Sequence, residues 1–261
     1  MNKVNRALDG DQFENSFVKN LNKNKDHVYW KEMGLSENNN LHFVKVKGNK
    51  FSSLNKKKIK PKTDVYIFKQ KISDRDLEKN EYYFEEGQKN FDFLNYLPGS
   101  GVSLKMNDAK SIQIDKCSVD KFEKRFNSKE LFFGQTIYLD DLKRNHSVRK
   151  NSKVSWAQIA KYFSIGDFKN FDDNTNFNEE DKKLFSKIHN FSKSKIEEVL
   201  KNDINVLNSL FKGTDEFEDP FCATWLLIKS KLTKTIPDPN DISVTKGSSG
   251  GRDCPPVVFK L

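Results

Sequence analysis

Hydrophobic positions alternate with polar ones, or form short apolar runs, in several separate stretches of the chain. Strands have a side-chain period of two and a typical length of four to eight residues. On this basis the pattern predicts strands at 41–47, 64–70 and 102–106, and a further candidate at 111–114. Residues 219–228 are apolar enough to form a buried strand.

Helical spacing of apolar residues appears elsewhere. A helix is predicted to start near Asp11, because aspartate is a common N-cap and apolar residues follow three and four positions apart,. The connection 71–97 is expected to be partly helical, and Ser118 is expected to cap a helix over 119–126. Residues 150–212 continue this spacing over several turns, so they form a predicted helical section.

The end of the chain returns to strand-like alternation. Residues 241–261 contain two alternating stretches separated by a Gly/Ser-rich segment, a pattern typical of a β-hairpin,. The predicted order is therefore an α/β core, a helical section and a β tail. We interpret 1–261 as a single domain, with a catalytic core at 1–149, the helical section at 150–215, and a late strand and tail at 216–261.

The net charge of the chain bears on the kind of molecule that it binds. The chain has 261 residues, a net charge of +9 and a sequence pI of about 9.2. A basic surface suits a polyanion such as nucleic acid. The alternative is that abundant Lys and Asn reflect the codon bias of an AT-rich genome, in which case the charge carries no function.

Several classes of protein fit poorly. Three cysteines without a CxxC pair argue against a zinc site or a disulfide framework,. No apolar run approaches the ~20 residues of a membrane span, and Met1–Arg6 lacks the apolar core of a signal peptide,. We therefore expect a cytoplasmic bacterial protein without membrane contact.

Candidate chemistry lies on the strands. Asp64 opens one apolar run, while Ser103 and Lys105 alternate on another and so share a face,. If the two strands pair, Asp64 and Lys105 meet at one end of a sheet. A carboxylate that holds Mg²⁺ beside a lysine that positions water suits phosphodiester hydrolysis. Glu14, on the early helix, is a further carboxylate that could approach this end; an ordinary surface role is the alternative.

The tail has a composition that suits DNA contact. Its glycines allow close approach of the backbone to a groove. Arg252 can donate two hydrogen bonds to guanine, and Asp253 can accept one from cytosine. Lys246 and Lys260 suit phosphate contacts,. A flexible hairpin turn is the alternative interpretation.

Taken together, these segments resemble type II restriction endonucleases of the PD-(D/E)xK nuclease superfamily. Pro61–Asp64 resembles the first motif, and Ser103–Lys105 resembles the second in a variant without its usual Glu. Ile112–Lys116 resembles the segment after that motif. Residues 219–227 resemble a late strand of small four-base cutters, and 246–260 resemble the C-terminal stretch of several such enzymes.

The resemblance implies a central mixed β-sheet flanked by helices and Mg²⁺-dependent cleavage of double-stranded DNA at a short sequence. It also implies a cognate methyltransferase that protects host DNA, and a monomer or homodimer. If the family's roles apply to the matching positions, Asp64 and the carbonyl of Leu104 would bind metal, and Lys105 would position or activate water. Ser103 would occupy the position of the family's Glu, and Glu14 would match the Glu of its early helix. The residues assigned to DNA contact are Lys62, Lys246, Ser248, Ser249, Gly250, Gly251, Arg252, Asp253 and Lys260.

Ser103 is the departure from the family pattern. A hydroxyl is a poor ligand for a hard cation compared with a carboxylate. The site would then hold one metal firmly or borrow a carboxylate such as Asp108 or Glu14. The altered motif keeps open a second class, a non-catalytic nucleic-acid-binding protein with a degenerate nuclease fold. A structural or interaction protein is the third possibility.

Overall fold

The computed structural model describes residues 6–36, 39–46, 61–84, 95–105, 112–126, 136–137, 161–164, 178–247 and 256–261. The chain divides into two compact units, Met1–Ile112 with Asn208–Pro237, and Gln113–Leu207 with Asp238–Leu261. Residues 225–228 of the predicted late strand lie in the first unit, and the predicted C-terminal hairpin lies in the second.

The described helices and strands confirm a mixed α/β protein. The helices are α1 Arg6–Lys23, α2 Val28–Glu32, α3 Asp74–Lys79, α4 Val119–Phe126, α5 Glu179–Asn202 and α6 Ile204–Lys212. The strands are β1 Leu41–Lys45, β2 Val65–Lys69, β3 Val102–Leu104, β4 Gln113–Cys117, β5 Trp225–Ile228, β6 Lys231–Thr233, β7 Ser243–Lys246 and β8 Val257–Lys260. Within the described part of the chain, no helix is both long and apolar enough to cross a membrane.

The first helix begins earlier than its sequence pattern predicted. Asp11 lies inside α1 rather than at its N-cap, so the predicted start is wrong. Ala7 and Leu8 have high helix propensity, and the helix continues through Gly10 although glycine costs about 1 kcal/mol in a helix interior,. A favourable cap residue therefore did not mark the actual boundary.

The first unit is built on a five-stranded mixed sheet in the order β1-β2-β3-β5-β6. Its neighbouring strands are antiparallel except for β3 and β5, which run parallel. Helix α1 packs against β1, where the Phe17 and Phe43 rings lie 5.6 Å apart. The buried Asn22 side chain donates to the carbonyl of Phe43 at 2.8 Å and accepts from its N–H at 2.9 Å. These contacts fix the helix on the sheet.

The second unit contains a three-stranded antiparallel sheet in the order β4-β8-β7. The β7–β8 pair confirms the predicted C-terminal hairpin. Helix α4 stacks Phe126 on Phe259, with ring centroids 5.7 Å apart, and pairs Arg125 with Asp115. The Ser118 hydroxyl accepts from the N–H of Lys121 at 3.4 Å, as expected for the predicted cap of α4.

Candidate functional site

The backbone of Asp64 is held between two strands at the start of β2. Its N–H donates to the carbonyl of Val102 at 2.9 Å, and its carbonyl accepts from the N–H of Val46 at 3.0 Å. The apolar run that follows Asp64 is buried as a central strand. This pairing fixes the half-buried carboxylate of Asp64 at one end of the strands of the sheet.

The Asp64 side chain bonds directly to β3. Oδ2 accepts from the N–H of Leu104 at 2.7 Å and from the hydroxyl of Ser103 at 3.3 Å. Oδ1 has no hydrogen-bond partner among the residues that the structure describes. One carboxylate oxygen is therefore oriented by the strand, while the other remains available for a ligand.

Strand β3 brings the second motif to the same place. It lies between β2 and β5, with Ser103 opposite Leu226, and the N–H of Lys105 donates to the carbonyl of Leu227 at 2.9 Å. Strand alternation puts the side chains of Ser103 and Lys105 on one face. The carbonyl of a strand residue points to the same side as its N–H, so the carbonyl of Leu104 faces the side of β3 on which Asp64 lies.

The loop that precedes β3 is held by Asp219 and by Trp225 on β5. Asp219 accepts from the N–H of Gly99 at 2.6 Å, and the indole N–H of Trp225 donates to the carbonyl of Gly99 at 3.2 Å. Burial raises the pKa of Asp219, and this hydrogen bond opposes the rise. A Cβ on Gly101 would lie 2.5 Å from the carbonyl oxygen of Cys222, so only glycine fits there. The role of Asp219 in fixing this loop had no signal in the sequence pattern.

Glu14 lies with a different group of residues. Burial lowers the pKa of Lys45, and the nearby charges of Asp11 and Glu14 partly oppose that shift. Lys45 is opposite Val65 in the sheet register, so its side chain lies on the face opposite to that of Asp64,. The structure thus brings together Asp64, Ser103 and Leu104, and associates Glu14 with Lys45.

The oxygen donors near Asp64 suit a hard cation with few protein ligands. They are Oδ1 of Asp64 and the carbonyl of Leu104, while the Ser103 hydroxyl is engaged as a donor to Asp64 Oδ2,. Among the described residues, no group of three or more His, Cys, Asp or Glu side chains could hold a metal ion. Mg²⁺ usually keeps several waters and combines one or two carboxylates with substrate phosphate. The donor set therefore fits a hydrated Mg²⁺ completed by a phosphate.

The residues predicted to contact DNA lie partly outside the described residues. Lys62 is half-buried and packs beside Gly213. Lys246 on β7 and Lys260 on β8 are half-buried in the hairpin. Positions 248–253 and Asp108 lie outside the described residues.

No protein-family model matches the chain, and no curated protein matches it.

Proposed function

We propose that the chain is a Mg²⁺-dependent, site-specific DNA endonuclease of the type II restriction class, with a PD-(D/E)xK-like core. The observation that carries the proposal is the 2.7 Å hydrogen bond from the N–H of Leu104 to the Asp64 carboxylate. It joins Asp64 to β3 across 40 residues of sequence, and so supports a common site for the two segments that resemble nuclease motifs. The mixed five-stranded sheet is compatible with that core.

Asp64 and the carbonyl of Leu104 would hold the metal ion. A bound Mg²⁺ would supply charge stabilisation at the phosphate and a more acidic water. Lys105 shares the strand face of Ser103, and its amino group has no ion pair or hydrogen bond among the described residues,. This cation is available to position the attacking water and to stabilise the negative charge that develops on phosphate oxygens.

Ser103 has a role that its position in the motif does not reveal. The residue is fully buried, and its hydroxyl donates to Asp64 Oδ2. A buried hydroxyl that orients a carboxylate acts through that carboxylate, so we assign Ser103 as a positioning residue rather than a metal ligand. The site would then be centred on one carboxylate and hold one Mg²⁺.

The proposed substrate is double-stranded DNA with a short recognition sequence, and a cognate methyltransferase would protect the host. The net charge of +9 supports a polyanionic substrate,. The predicted contacts of the tail with base edges are part of the same proposal. So are a cytoplasmic location and a monomeric or homodimeric state.

The test is cleavage of unmethylated phage DNA with Mg²⁺ and with EDTA, using the wild type and Asp64→Asn. The amide oxygen of asparagine can still accept the Leu104 N–H, so the variant should fold while losing the charge that binds metal. We expect discrete fragments only for the wild type with Mg²⁺. Equal cutting by the variant would exclude Asp64 as the metal ligand, and intact DNA in every lane would contradict the proposed activity.

A second candidate is a non-catalytic nucleic-acid-binding protein. The observation that favours it is Ser103 in the position of the usual acid, together with the lack of a three-residue metal cluster among the described residues. This function predicts binding of duplex DNA without cleavage, and equal binding by the wild type and Asp64→Asn.

A further inference from the structure

A row of residues extends across the sheet from Lys105 to β6. Because Leu104 is opposite Leu227 in parallel register, Lys105 is opposite Ile228. Ile228 is in turn opposite Lys231 in the antiparallel β5–β6 pair. Residues opposite one another share a face, and adjacent strands lie about 4.8 Å apart. Lys231 therefore lies on the face of Lys105, at a backbone separation of about 10 Å.

The hairpin that carries Lys231 is basic. Residues 225–234 contain Lys229, Lys231 and Lys234 and no acidic residue. Lys229 and Lys231 are exposed, and neither takes part in an ion pair within the described parts of the chain. Nζ of Lys234 lies 4.6 Å from the centroid of the Trp225 ring. The hairpin thus presents two cations that no acidic side chain of the described structure neutralises.

The turn of this hairpin is strained. Lys229 and Ser230 have φ values of 49° and 60°, in the left-handed region. Two-residue turns of this kind strongly favour Asn and Gly, because other residues adopt positive φ at a cost. The turn therefore holds Lys229 in a backbone conformation that lysine adopts only at a cost in free energy,.

The turn is also anchored from outside the hairpin. The hydroxyl of Tyr29 on α2 donates to the carbonyl of Ser230 at 2.9 Å. Burial, and then the charge of Glu32, raise the pKa of Tyr29, so the hydroxyl keeps its proton at neutral pH. Tyr29 stacks on the core residue Phe17, with ring centroids 6.0 Å apart. The position of the turn is therefore fixed relative to the core.

We propose that the β5–β6 hairpin is a phosphate-binding element for the DNA strand that enters the site, with Lys231 and Lys229 as its contacts. The inference rests on the proposed function. The backbone of Lys231 lies about 10 Å from that of Lys105, at the same end of the strands as Asp64, and Lys229 lies in the adjoining turn,. Lysines at these positions suit the phosphates that flank the one being cut. Their contact is to the backbone, so it carries no sequence preference.

The experiment measures binding of a duplex oligonucleotide by fluorescence anisotropy, with Ca²⁺ replacing Mg²⁺ to limit cleavage, over a range of salt. The variants are Lys231→Ala, Lys229→Ala and Lys231→Arg. The matched control is Lys69→Ala, an exposed lysine at the far end of β2 with no ion pair among the described residues. Each phosphate contact contributes about 0.9 to the slope of log K against log salt.

We expect Lys231→Ala and Lys229→Ala each to make the slope less steep by about 0.9. The fold-loss of affinity of each variant relative to the wild type should therefore be about threefold larger at about 50 mM salt than at about 200 mM. Lys231→Arg and Lys69→Ala should resemble the wild type. In the cleavage assay, Lys231→Ala should raise KM more than it lowers kcat, which loss of a merely structural residue would not produce.

The outcomes separate the two proposals. A wild type that binds and cuts DNA, with unchanged slopes for both alanine variants, would overturn the hairpin assignment and leave the endonuclease intact. Equal loss in Lys69→Ala and Lys231→Ala would also overturn it, because any surface lysine would then serve. A wild type that binds no duplex would overturn both.

Discussion

Lys45 and Lys105 lie at the same end of the strands in the five-stranded sheet, but on opposite faces. They differ in the burial and in the partners of their amino groups. Lys45 has a side chain that is only 2% exposed, with Nζ 2.5 Å from Oδ1 of Asn15 and 3.9 Å from the ring centre of Tyr83. Asp11 lies 3.6 Å from the same nitrogen. Lys105 is half-exposed and has no such partner among the described residues.

The difference separates a structural cation from an available one. A buried amino group that is surrounded by acceptors is fixed in place, and its removal leaves those acceptors without a donor. A half-exposed amino group on the strand face of Ser103, without an ion pair among the described residues, can contact a substrate,. The comparison therefore predicts that one lysine supports the stability of the protein and the other supports its activity.

The largest expected effect is that of Lys105→Ala on cleavage. We expect the rate of DNA cutting to fall by at least about a hundredfold, because the cation that positions water and stabilises developing charge is lost. Stability should change by less than about 0.5 kcal/mol, because the side chain has no described partner. The measurement pairs single-turnover cleavage with urea unfolding. Cutting at the wild-type rate would place Lys105 outside the chemistry.

The next effect is that of Lys45→Ala on stability. We expect a loss of about 2–3 kcal/mol in the free energy of unfolding, since the variant leaves a buried cavity and unsatisfied acceptors. Lys45→Met, which keeps most of the stem, should recover part of the loss. Circular dichroism in urea provides the measurement, and the folded variants should still cut DNA. A stable Lys45→Ala that fails to cut would reverse the comparison.

His42 on β1 is a third basic residue to compare with Lys45 and Lys105. It is buried, and unlike the two lysines it is neutral at pH 7. Burial, and then the charge of Lys25, lower its pKa from 6.5 to about 4, while Asp74 and Gln70 oppose the shift. The unfolded chain binds a proton below pH 6.5 and the folded chain does not, so stability falls as the pH decreases through this range.

Between pH 7.5 and pH 5 this histidine should cost about 2 kcal/mol of stability, the smallest of the three effects. Unfolding measured at both pH values for the wild type and His42→Phe isolates its contribution from that of other groups. The substitution should reduce the decrease by this amount. Identical decreases in the two proteins would indicate that His42 is protonated in the folded state.

The sequence pattern predicted the positions of the strands better than the tertiary contacts that bury individual strand residues. Short apolar runs located β1, β2 and β3, whose residues are nearly all buried, and alternation located the C-terminal hairpin,. It also put Ser103 and Lys105 on one face. It gave no means to recognise Lys45 as buried, because a lysine between valines looks like any outward-facing strand residue. That burial comes from α1, whose position on β1 depends on tertiary contacts such as those of Phe17 and Asn22.

The connection of β3 to β5 has a consequence for biosynthesis. The parallel partner of β3 is translated about 120 residues after it, which at ribosomal rates takes on the order of ten seconds,. During that interval the strand that carries Ser103 lacks its β5 neighbour, and its free backbone groups could pair with other chains. The nascent protein therefore passes through a period of aggregation risk, and the backbone bond from Lys105 to Leu227 can form only after that period ends.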